Sequence, residues 1–146
     1  MIPGFIYDEF YSDYSNYKRA FLHSNSYTGN ALCCSAALGT IEYLEKNDII
    51  NNNQEKIKFI NEELQKFKTL ENVKDIRQTG MIAAVELQGY KNEDRIGLEV
   101  YKYGLDNGVL LRPLAHIIYF MPPYVISKKE IKKMIDVAYE AIQRLP

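Results

Sequence analysis

The sequence has 146 residues, of which 47% are hydrophobic and 25% are charged, and its formal net charge is −1 at pH 7. This balance is typical of an ordinary globular domain or of one portion of a larger protein, and it argues against nucleic-acid or anionic-membrane partners. No apolar run approaches the roughly 20 residues of a membrane-spanning helix, and the N-terminus lacks a signal-peptide pattern. We therefore expect a cytoplasmic protein.

The first part of the chain is rich in aromatic residues. Tyr7, Phe10, Tyr11 and Tyr14 recur at the spacing of one helical face, with acidic residues off that face. Tyrosines at this density favour a core or a subunit interface over a functional cluster.

A polar segment, HSNSYTGN at 23–30, leads into the small-residue segment ALCCSAALGTIEYLEKN at 31–47. The second segment predicts a helix, for which Asn30 is the expected N-cap. Cys33 and Cys34 are neighbours on this helix, so a disulfide between them would be badly strained, and their spacing does not fit a zinc site. We expect reduced, buried cysteines.

The middle of the chain alternates between helical and β-type patterns. A stripe of apolar residues predicts a second helix at about 52–69. The segments VKDIRQTG and MIAAVEL favour strands joined at Gly80. A third helix is predicted at about 93–106, with Asn107 or Gly108 in the left-handed conformation that closes it.

The last part of the chain predicts a strand pair and a final helix. VLLRP and HIIYFMP are predicted as two strands around the turn LAH. The motif SKKE predicts a capping box, with Ser127 as N-cap and Glu130 three residues into the helix. The order of elements favours helices packed on a small, mostly antiparallel sheet, an α+β fold.

One arginine lies within the apolar stretch GVLLRPLAHIIYFMPPYVIS at 108–127. Arg112 stays charged when it is desolvated, and its planar fork suits a carboxylate. The partner is either a structural Asp or Glu or the carboxylate of a ligand. Because no acidic residue lies between Asp106 and Glu130, a partner within the protein has to come from far along the chain.

The segment HSNSYTGN is a second candidate site. Ser24, Ser26 and Thr28 offer hydroxyls ahead of a helix N-terminus, which is compatible with an anion site and equally with an ordinary capped turn. His23 and His116 lie too far apart in sequence to indicate a metal-ligand pair, and neither is assigned a catalytic role. No phosphate-loop, dinucleotide, zinc or hydrolase motif is present in the sequence.

Three segments, FLHSNSYTGNALCCSAAL, IRQTGMIAAVEL and GVLLRPLAHIIYFMPPYVIS, resemble in this order the C-terminal part of class III pyridoxal-phosphate aminotransferases. The resemblance covers nearly the whole chain, and the IYFMPPY motif favours the branch that acts in biotin biosynthesis. It implies a homodimeric fold-type I enzyme with pyridoxal 5'-phosphate as cofactor. The implied substrates are 8-amino-7-oxononanoate and S-adenosylmethionine, and the implied product is 7,8-diaminopelargonate.

The resemblance also implies roles for individual residues. Arg112 would hold the substrate carboxylate, and Tyr119 would line the substrate pocket. Asn25 and Ser26 would contact the cofactor phosphate in the active site of the neighbouring subunit.

The resemblance further implies a domain division and an incomplete site. Residues 1–30 would be an interface segment and phosphate loop of the large domain, and 31–146 a linking helix and the small C-terminal domain. The Schiff-base lysine of the family lies ahead of the matching region, so we expect no catalytic residue in this chain and no activity from it alone. The alternatives are a non-catalytic dimerisation or interaction module from a truncated transaminase, and a fragment of another class III ω-amino acid aminotransferase.

Overall fold

The computed structural model of the protein describes residues 3–11 and 26–146, apart from the side chain of Asn92. The helices are α1 (Gly4–Glu9), α2 (Ala31–Lys46), α3 (Ile49–Asn52), α4 (Gln54–Leu64), α5 (Ile96–Asp106) and α6 (Lys128–Gln143). The strands are β1 (Val73–Thr79), β2 (Ile82–Leu87) and β3 (Ile117–Phe120), and 3-10 turns occupy Gln65–Thr69 and Asn92–Asp94. The predicted α+β composition is confirmed.

The chain divides into two compact units, Met1–Tyr43 and Leu44–Pro146, with the boundary inside α2. The division predicted from the resemblance, at 30/31, stays a prediction. In the first unit neither α1 nor α2 contains a buried residue. Cys33 and Cys34 are accordingly free and exposed, so their predicted burial is wrong in this structure. Tyr14 lies outside the described residues.

The second unit contains an antiparallel sheet with the strand order β1-β2-β3. Thr79 pairs with Ile82, which leaves Gly80 and Met81 as a two-residue loop. Gly80 has φ 57°, a conformation that favours glycine and suits a tight hairpin. The predicted junction of two strands at Gly80 is therefore confirmed, and the structure shows that the two strands form a hairpin.

One face of this sheet is buried beneath the helices. Along β2 and β3, alternate residues point into the core, as the two-residue period of a strand requires. The buried side chains of the sheet and of the predicted helical stripes are Ala83, Val85, Leu87, Ile118, Phe120, Ile60, Leu64, Phe67, Ile131, Ile135, Ala138, Ala141 and Ile142. The apolar spacing of the second helix predicts a stripe that includes Ile57, and that of the last helix predicts one that includes Met134. Both stripes face the core, although Ile57 and Met134 themselves are only partly buried.

The last helix begins with the predicted capping box. The Glu130 amide donates to Ser127 Oγ at 3.2 Å, and the Ser127 amide donates to Glu130 Oε2 at 2.8 Å. Each bond satisfies an amide that has no acceptor within the helix.

The predicted strand at VLLRP is wrong, whereas HIIYFMP contains β3. The hydrogen bonds of this segment are local: the Val109 amide donates to the Gly104 carbonyl at 2.8 Å, and the Leu111 amide donates to the Val109 carbonyl. Pro113 has no amide hydrogen to donate to a neighbouring strand. Leu111 is buried in the core although the segment does not belong to the sheet, whereas Leu110 is 66% exposed.

Candidate functional site

Helix α5 fixes the segment that carries Arg112 by close backbone contact. A β-carbon at Gly97 would lie 2.3 Å from the Ala115 carbonyl oxygen, and one at Gly104 would lie 2.8 Å from the Val109 carbonyl oxygen. Any larger residue at either position forces the two elements apart. Gly97 and Gly104 lie on the same face of α5, two turns apart. Together they determine where the segment that carries Arg112 lies along the helix.

An open groove of about 530 Å³ lies between the first turns of α5 and this segment. Its lining side chains are those of Arg95, Leu98, Tyr101, Arg112, Pro113 and Ala115. No Asp or Glu is among the described residues that line it. The groove thus combines two guanidinium groups with mainly apolar walls.

Arg112 is exposed and forms no hydrogen bond or ion pair with residues 3–11 or 26–146. Two other arginines in the described chain have partners. Arg77 Nη1 lies 2.6 Å from Glu86 Oε2 and 2.7 Å from Asp75 Oδ2, and the Arg144 guanidinium lies 5.0 Å from the centre of the Tyr103 ring. Within the described residues, therefore, no structural ion pair accounts for Arg112.

The turn ahead of α2 presents Ser26 in an exposed position. Asn30 caps the helix as predicted, because its Oδ1 accepts from the Leu32 and Cys33 amides at 3.0 and 3.2 Å. Those two amides are therefore engaged, and an anion near Ser26 would depend on its hydroxyl. Asn25 lies outside the described residues, as do Ser24 and His23.

Tyr119 lies on β3, where it pairs with Ala84. It is half-buried and points away from the core face that Ile118 and Phe120 occupy. Its side chain lines a second cavity, of about 440 Å³, and this cavity and the Arg112 groove share no lining residue. The structure therefore places the two predicted substrate contacts in separate cavities, and their roles stay predictions.

Sequence reasoning missed Arg95 and Tyr101, which line the groove with Arg112. Arg95 follows the charged stretch NED and has the pattern of an ordinary solvated surface. The structure places it at the N-cap of α5 with φ 49° and ψ 34°, so α5 begins at Ile96 and not at 93. One signal was available: an arginine stands where a helix start usually has Ser, Thr, Asp or Asn.

The open face of the sheet holds a cluster of charged residues that is already paired. Glu86 accepts hydrogen bonds from Lys74 Nζ and Arg77 Nη1, each at 2.6 Å, and its side chain is 14% exposed. The Lys74 and Arg77 hydrogen bonds lower the pKa of Glu86 from 4.5 to about 2. Because its charges are mutually satisfied, this cluster is structural and offers no open binding group.

Other chemistry is sparse in the described part of the chain. Residues 3–11 and 26–146 contain no group of three His, Cys, Asp or Glu residues that could hold a metal ion. No helix among them has the length and apolar character needed to cross a membrane. The Nδ1 atom of His116 is buried and has no hydrogen-bond partner there.

Comparison with known sequences identifies one family. The sequence profile described as aminotransferase class-III matches residues 6–142. The adenosylmethionine-8-amino-7-oxononanoate aminotransferase of Helicobacter pylori is 42% identical over 150 residues, which cover 96% of this chain and 33% of that protein. The enzyme of the same description from Methanocaldococcus jannaschii is 39% identical over 149 residues, covering 94% of this chain and 31% of that protein.

Comparison with solved structures also finds aminotransferases. The crystal structure of the M. jannaschii enzyme superposes with a TM-score of 0.82 at 38% identity, over 94% of this chain and 33% of that one. A transaminase from a marine Virgibacillus superposes with a TM-score of 0.73 at 27% identity, over 84% of this chain and 30% of that one. The chain thus spans about a third of the length of the relatives it matches.

Proposed function

Because this chain belongs to the class III aminotransferase family, we propose that it contributes the substrate-carboxylate contact of an enzyme that aminates 8-amino-7-oxononanoate. S-adenosylmethionine is the proposed amino donor, 7,8-diaminopelargonate the product and biotin biosynthesis the pathway. The H. pylori and M. jannaschii relatives are described as adenosylmethionine-8-amino-7-oxononanoate aminotransferases, which supports this choice of substrates.

The proposal rests on the exposure of Arg112 and on its lack of a carboxylate partner among the described residues. Its guanidinium is exposed in the groove beside α5, and the part of the chain that the structure describes places no carboxylate along that groove. A guanidinium offers two parallel N–H groups to a carboxylate and stays charged at any physiological pH. In the proposed enzyme Arg112 binds the carboxylate of the acceptor and so fixes the position of the carbonyl at its other end. Tyr119 is proposed as a second substrate contact in the complete enzyme, from the separate cavity that it lines.

Pyridoxal 5'-phosphate is the proposed cofactor, and Ser26 is the described residue that fits it. Its hydroxyl is exposed in the turn ahead of α2, where it can donate a hydrogen bond to a phosphate oxygen. Asn25 is the second proposed phosphate contact. We propose that both act on the active site of a neighbouring subunit in a homodimer. When bound, the cofactor supplies the electron-withdrawing ring through which an amino group leaves the donor and reaches the acceptor.

The chain alone is proposed to be inactive. The resemblance places the cofactor-bearing lysine ahead of the matching region, so none of the lysines present takes that role. The relatives extend over about three times the length that this chain covers. Transamination would therefore require the part of the relatives that this chain does not match.

A fusion enzyme tests the proposal. This chain is joined to the N-terminal two thirds of the H. pylori relative, and 7,8-diaminopelargonate formation is measured with pyridoxal phosphate present. We expect turnover from the fusion and none from the chain alone. Arg112→Gln should raise the KM for the acceptor at least about 10-fold, the effect of losing a charge-assisted hydrogen bond. Lys102→Gln, which removes one positive charge from the exposed side of α5, is the matched control and should change the KM little.

Three other results are informative. A fusion that binds the cofactor but aminates a different ω-keto or ω-amino compound moves the assignment to another class III aminotransferase. A fusion that binds the cofactor and turns over no acceptor contradicts the proposed reaction. Unchanged kinetics in the Arg112→Gln fusion contradict the role of Arg112 while leaving the reaction in place.

A non-catalytic interaction module is the second candidate, and the first unit favours it. The exposed fractions of Phe5, Tyr7 and Tyr11 are 72%, 60% and 71%. Contiguous exposed apolar surface of this kind marks interaction sites in soluble proteins. Sedimentation equilibrium of the chain over a range of concentrations tests this candidate. Self-association that the double substitution Tyr7→Ser, Tyr11→Ser abolishes would support it, whereas a monomer throughout would count against it.

A further inference from the structure

Arg95 has an unusual backbone conformation for a residue with a side chain. Its φ of 49° lies in the left-handed region, where a β-carbon is disfavoured. Among the described residues, the non-glycine positions with positive φ are Asp48, Arg95 and Ala115. Arg95 and Ala115 both line the groove that contains Arg112. Two strained backbone positions thus shape one site, a pattern that is more frequent at functional sites than elsewhere.

The acidic residues nearest to Arg95 in sequence are engaged elsewhere. Asp94 Oδ2 accepts from the Lys91 amide at 2.7 Å, and Glu99 Oε1 accepts from Lys102 Nζ at 2.9 Å. The Arg95 side chain forms no hydrogen bond or ion pair with residues 3–11 or 26–146, and only its backbone carbonyl is engaged, by the Leu98 amide at 2.8 Å. The guanidinium groups of Arg95 and Arg112 are therefore both available to bind an anion in the groove.

Two guanidinium groups along one groove repel each other unless an anion lies between them. A carboxylate has two oxygens and about four acceptor positions, enough for two arginine forks. The remaining walls, from Leu98, Pro113 and Ala115, are mainly apolar and suit an aliphatic chain attached to the carboxylate. The groove is thus complementary to an aliphatic carboxylate.

We propose that Arg95 is a second contact for the substrate carboxylate and binds it together with Arg112. This inference rests on the proposed role of Arg112 and adds a residue to that site. The two arginines donate hydrogen bonds to different oxygens of one carboxylate. The left-handed backbone at Arg95 directs its side chain toward that carboxylate. The pair selects acceptors that carry a carboxylate at the end of an aliphatic chain.

Octanoate is a suitable probe, because it has the carboxylate and an aliphatic chain but no reacting group. The side-chain Nε–H signals of Arg95 and Arg112 are followed by NMR in the 146-residue chain during titration with sodium octanoate. We expect both signals to shift with a common dissociation constant. Octan-1-ol, which lacks the charge, should shift neither.

Substitutions then separate Arg95 from Arg112. Arg95→Gln should weaken octanoate binding about 10-fold, the effect of one charge-assisted hydrogen bond. Arg95→Gly removes the same side chain and suits φ 49°, so it should bind as weakly as Arg95→Gln while the fold is retained. Lys102→Gln, on the same helix outside the groove, should stay within about 2-fold of the unsubstituted chain.

The possible outcomes distinguish the two proposals. If Arg112→Gln weakens binding and neither Arg95 variant does, the second contact is refuted and the role of Arg112 stands. If millimolar octanoate shifts neither arginine, or if octan-1-ol shifts both equally, both assignments are refuted. In the fusion enzyme, Arg95→Gln should raise the KM for the acceptor about 10-fold with kcat nearly unchanged, since it removes binding that is common to ground and transition states. An unchanged KM there also refutes the proposal.

Discussion

The two compact units of this chain differ in whether their apolar side chains are buried. In Leu44–Pro146, three helices and a sheet enclose a core in which residues such as Phe67, Val85 and Ile118 are fully buried. Among the described residues of Met1–Tyr43, α1 and the part of α2 that belongs to this unit have no buried residue, and Leu32 is 82% exposed. The hydrophobic effect therefore stabilises the second unit from within. The first unit contains the same kinds of residue but gains no such stabilisation from its described residues.

A matched pair of phenylalanine substitutions tests this difference most strongly. Phe67 is fully buried against Phe120 and Tyr139, whereas Phe5 is 72% exposed. Phe67→Ala should reduce the free energy of unfolding by about 3–5 kcal/mol, because it removes buried surface and leaves a cavity. Phe5→Ala should change it by no more than about 0.5 kcal/mol. Urea unfolding followed by circular dichroism measures both.

Equal losses from the two substitutions would contradict the comparison. They would mean that the aromatic segment is buried in solution, by self-association or by another part of the protein. Repeating the measurement at several protein concentrations separates these causes, since stabilisation by association rises with concentration.

A pair of glycine substitutions should have effects of opposite sign. At Gly97 an added β-carbon meets the Ala115 carbonyl oxygen at 2.3 Å, so Gly97→Ala should cost about 1–3 kcal/mol through overpacking. At Gly39, inside α2, an added β-carbon has no atom within 4 Å. Gly39→Ala should instead favour the helix by about 0.5–1 kcal/mol. Helix content by circular dichroism and unfolding midpoints check the two signs.

Gly97→Ala also tests how the groove is held. Because Gly97 fixes the distance between α5 and Ala115, the substitution should displace the neighbouring Arg112 and weaken octanoate binding. A destabilised protein with unaltered binding would show that the groove does not depend on this contact.

Sequence patterns predicted the local features of the fold well. The cap at Asn30, the hairpin at Gly80 and the capping box at Ser127 depend on residues close together in sequence, and all three are confirmed. The segment VLLRP was predicted wrongly because burial of Leu111 and membership of a strand produce the same apolar pattern. Tertiary packing against α5 decides between them, and a single sequence does not contain that information.

The candidate site was only partly predictable for the same reason. Arg112 was conspicuous because a charged residue interrupts an apolar run. Arg95 was not conspicuous, because it lies among charged residues. Its place in the groove depends on its left-handed backbone and on the close approach of Pro113 to Gly97. Cys33 and Cys34 were predicted to be reduced and buried because their spacing suits neither a disulfide nor a zinc site, an argument that does not tell whether a covering surface is present.

Helix caps provide a smaller test of the two units. Ser127→Ala removes an acceptor for the Glu130 amide and should reduce the free energy of unfolding of the second unit by about 1 kcal/mol. Asn30→Ala removes the acceptor for the Leu32 and Cys33 amides, yet α2 has no buried residue. We therefore expect Asn30→Ala to reduce helix content without shifting the main urea transition. A shift as large as that of Ser127→Ala would show that the two units unfold together.

The smallest expected effect is a pH dependence that originates on the open face of the sheet in the second unit. Hydrogen bonds from Lys74 and Arg77 lower the pKa of Glu86 to about 2, against 4.5 for an ordinary glutamate. Because the folded pKa is the lower one, the carboxylate stabilises the fold fully above about pH 4.5, and this contribution is lost as the pH falls toward 2.

Glu86→Gln removes the titrating group, so the difference in stability between the unsubstituted chain and this variant should shrink over that pH range. Carboxyl-carbon NMR measures the pKa of Glu86 directly, and added salt should raise it because exposed charges are screened. A titration midpoint near 4.5 would mean that Lys74 and Arg77 do not form these hydrogen bonds with Glu86 in solution. The second unit would then be less ordered at its surface than in its core, and the contrast with the first unit would apply to buried residues alone.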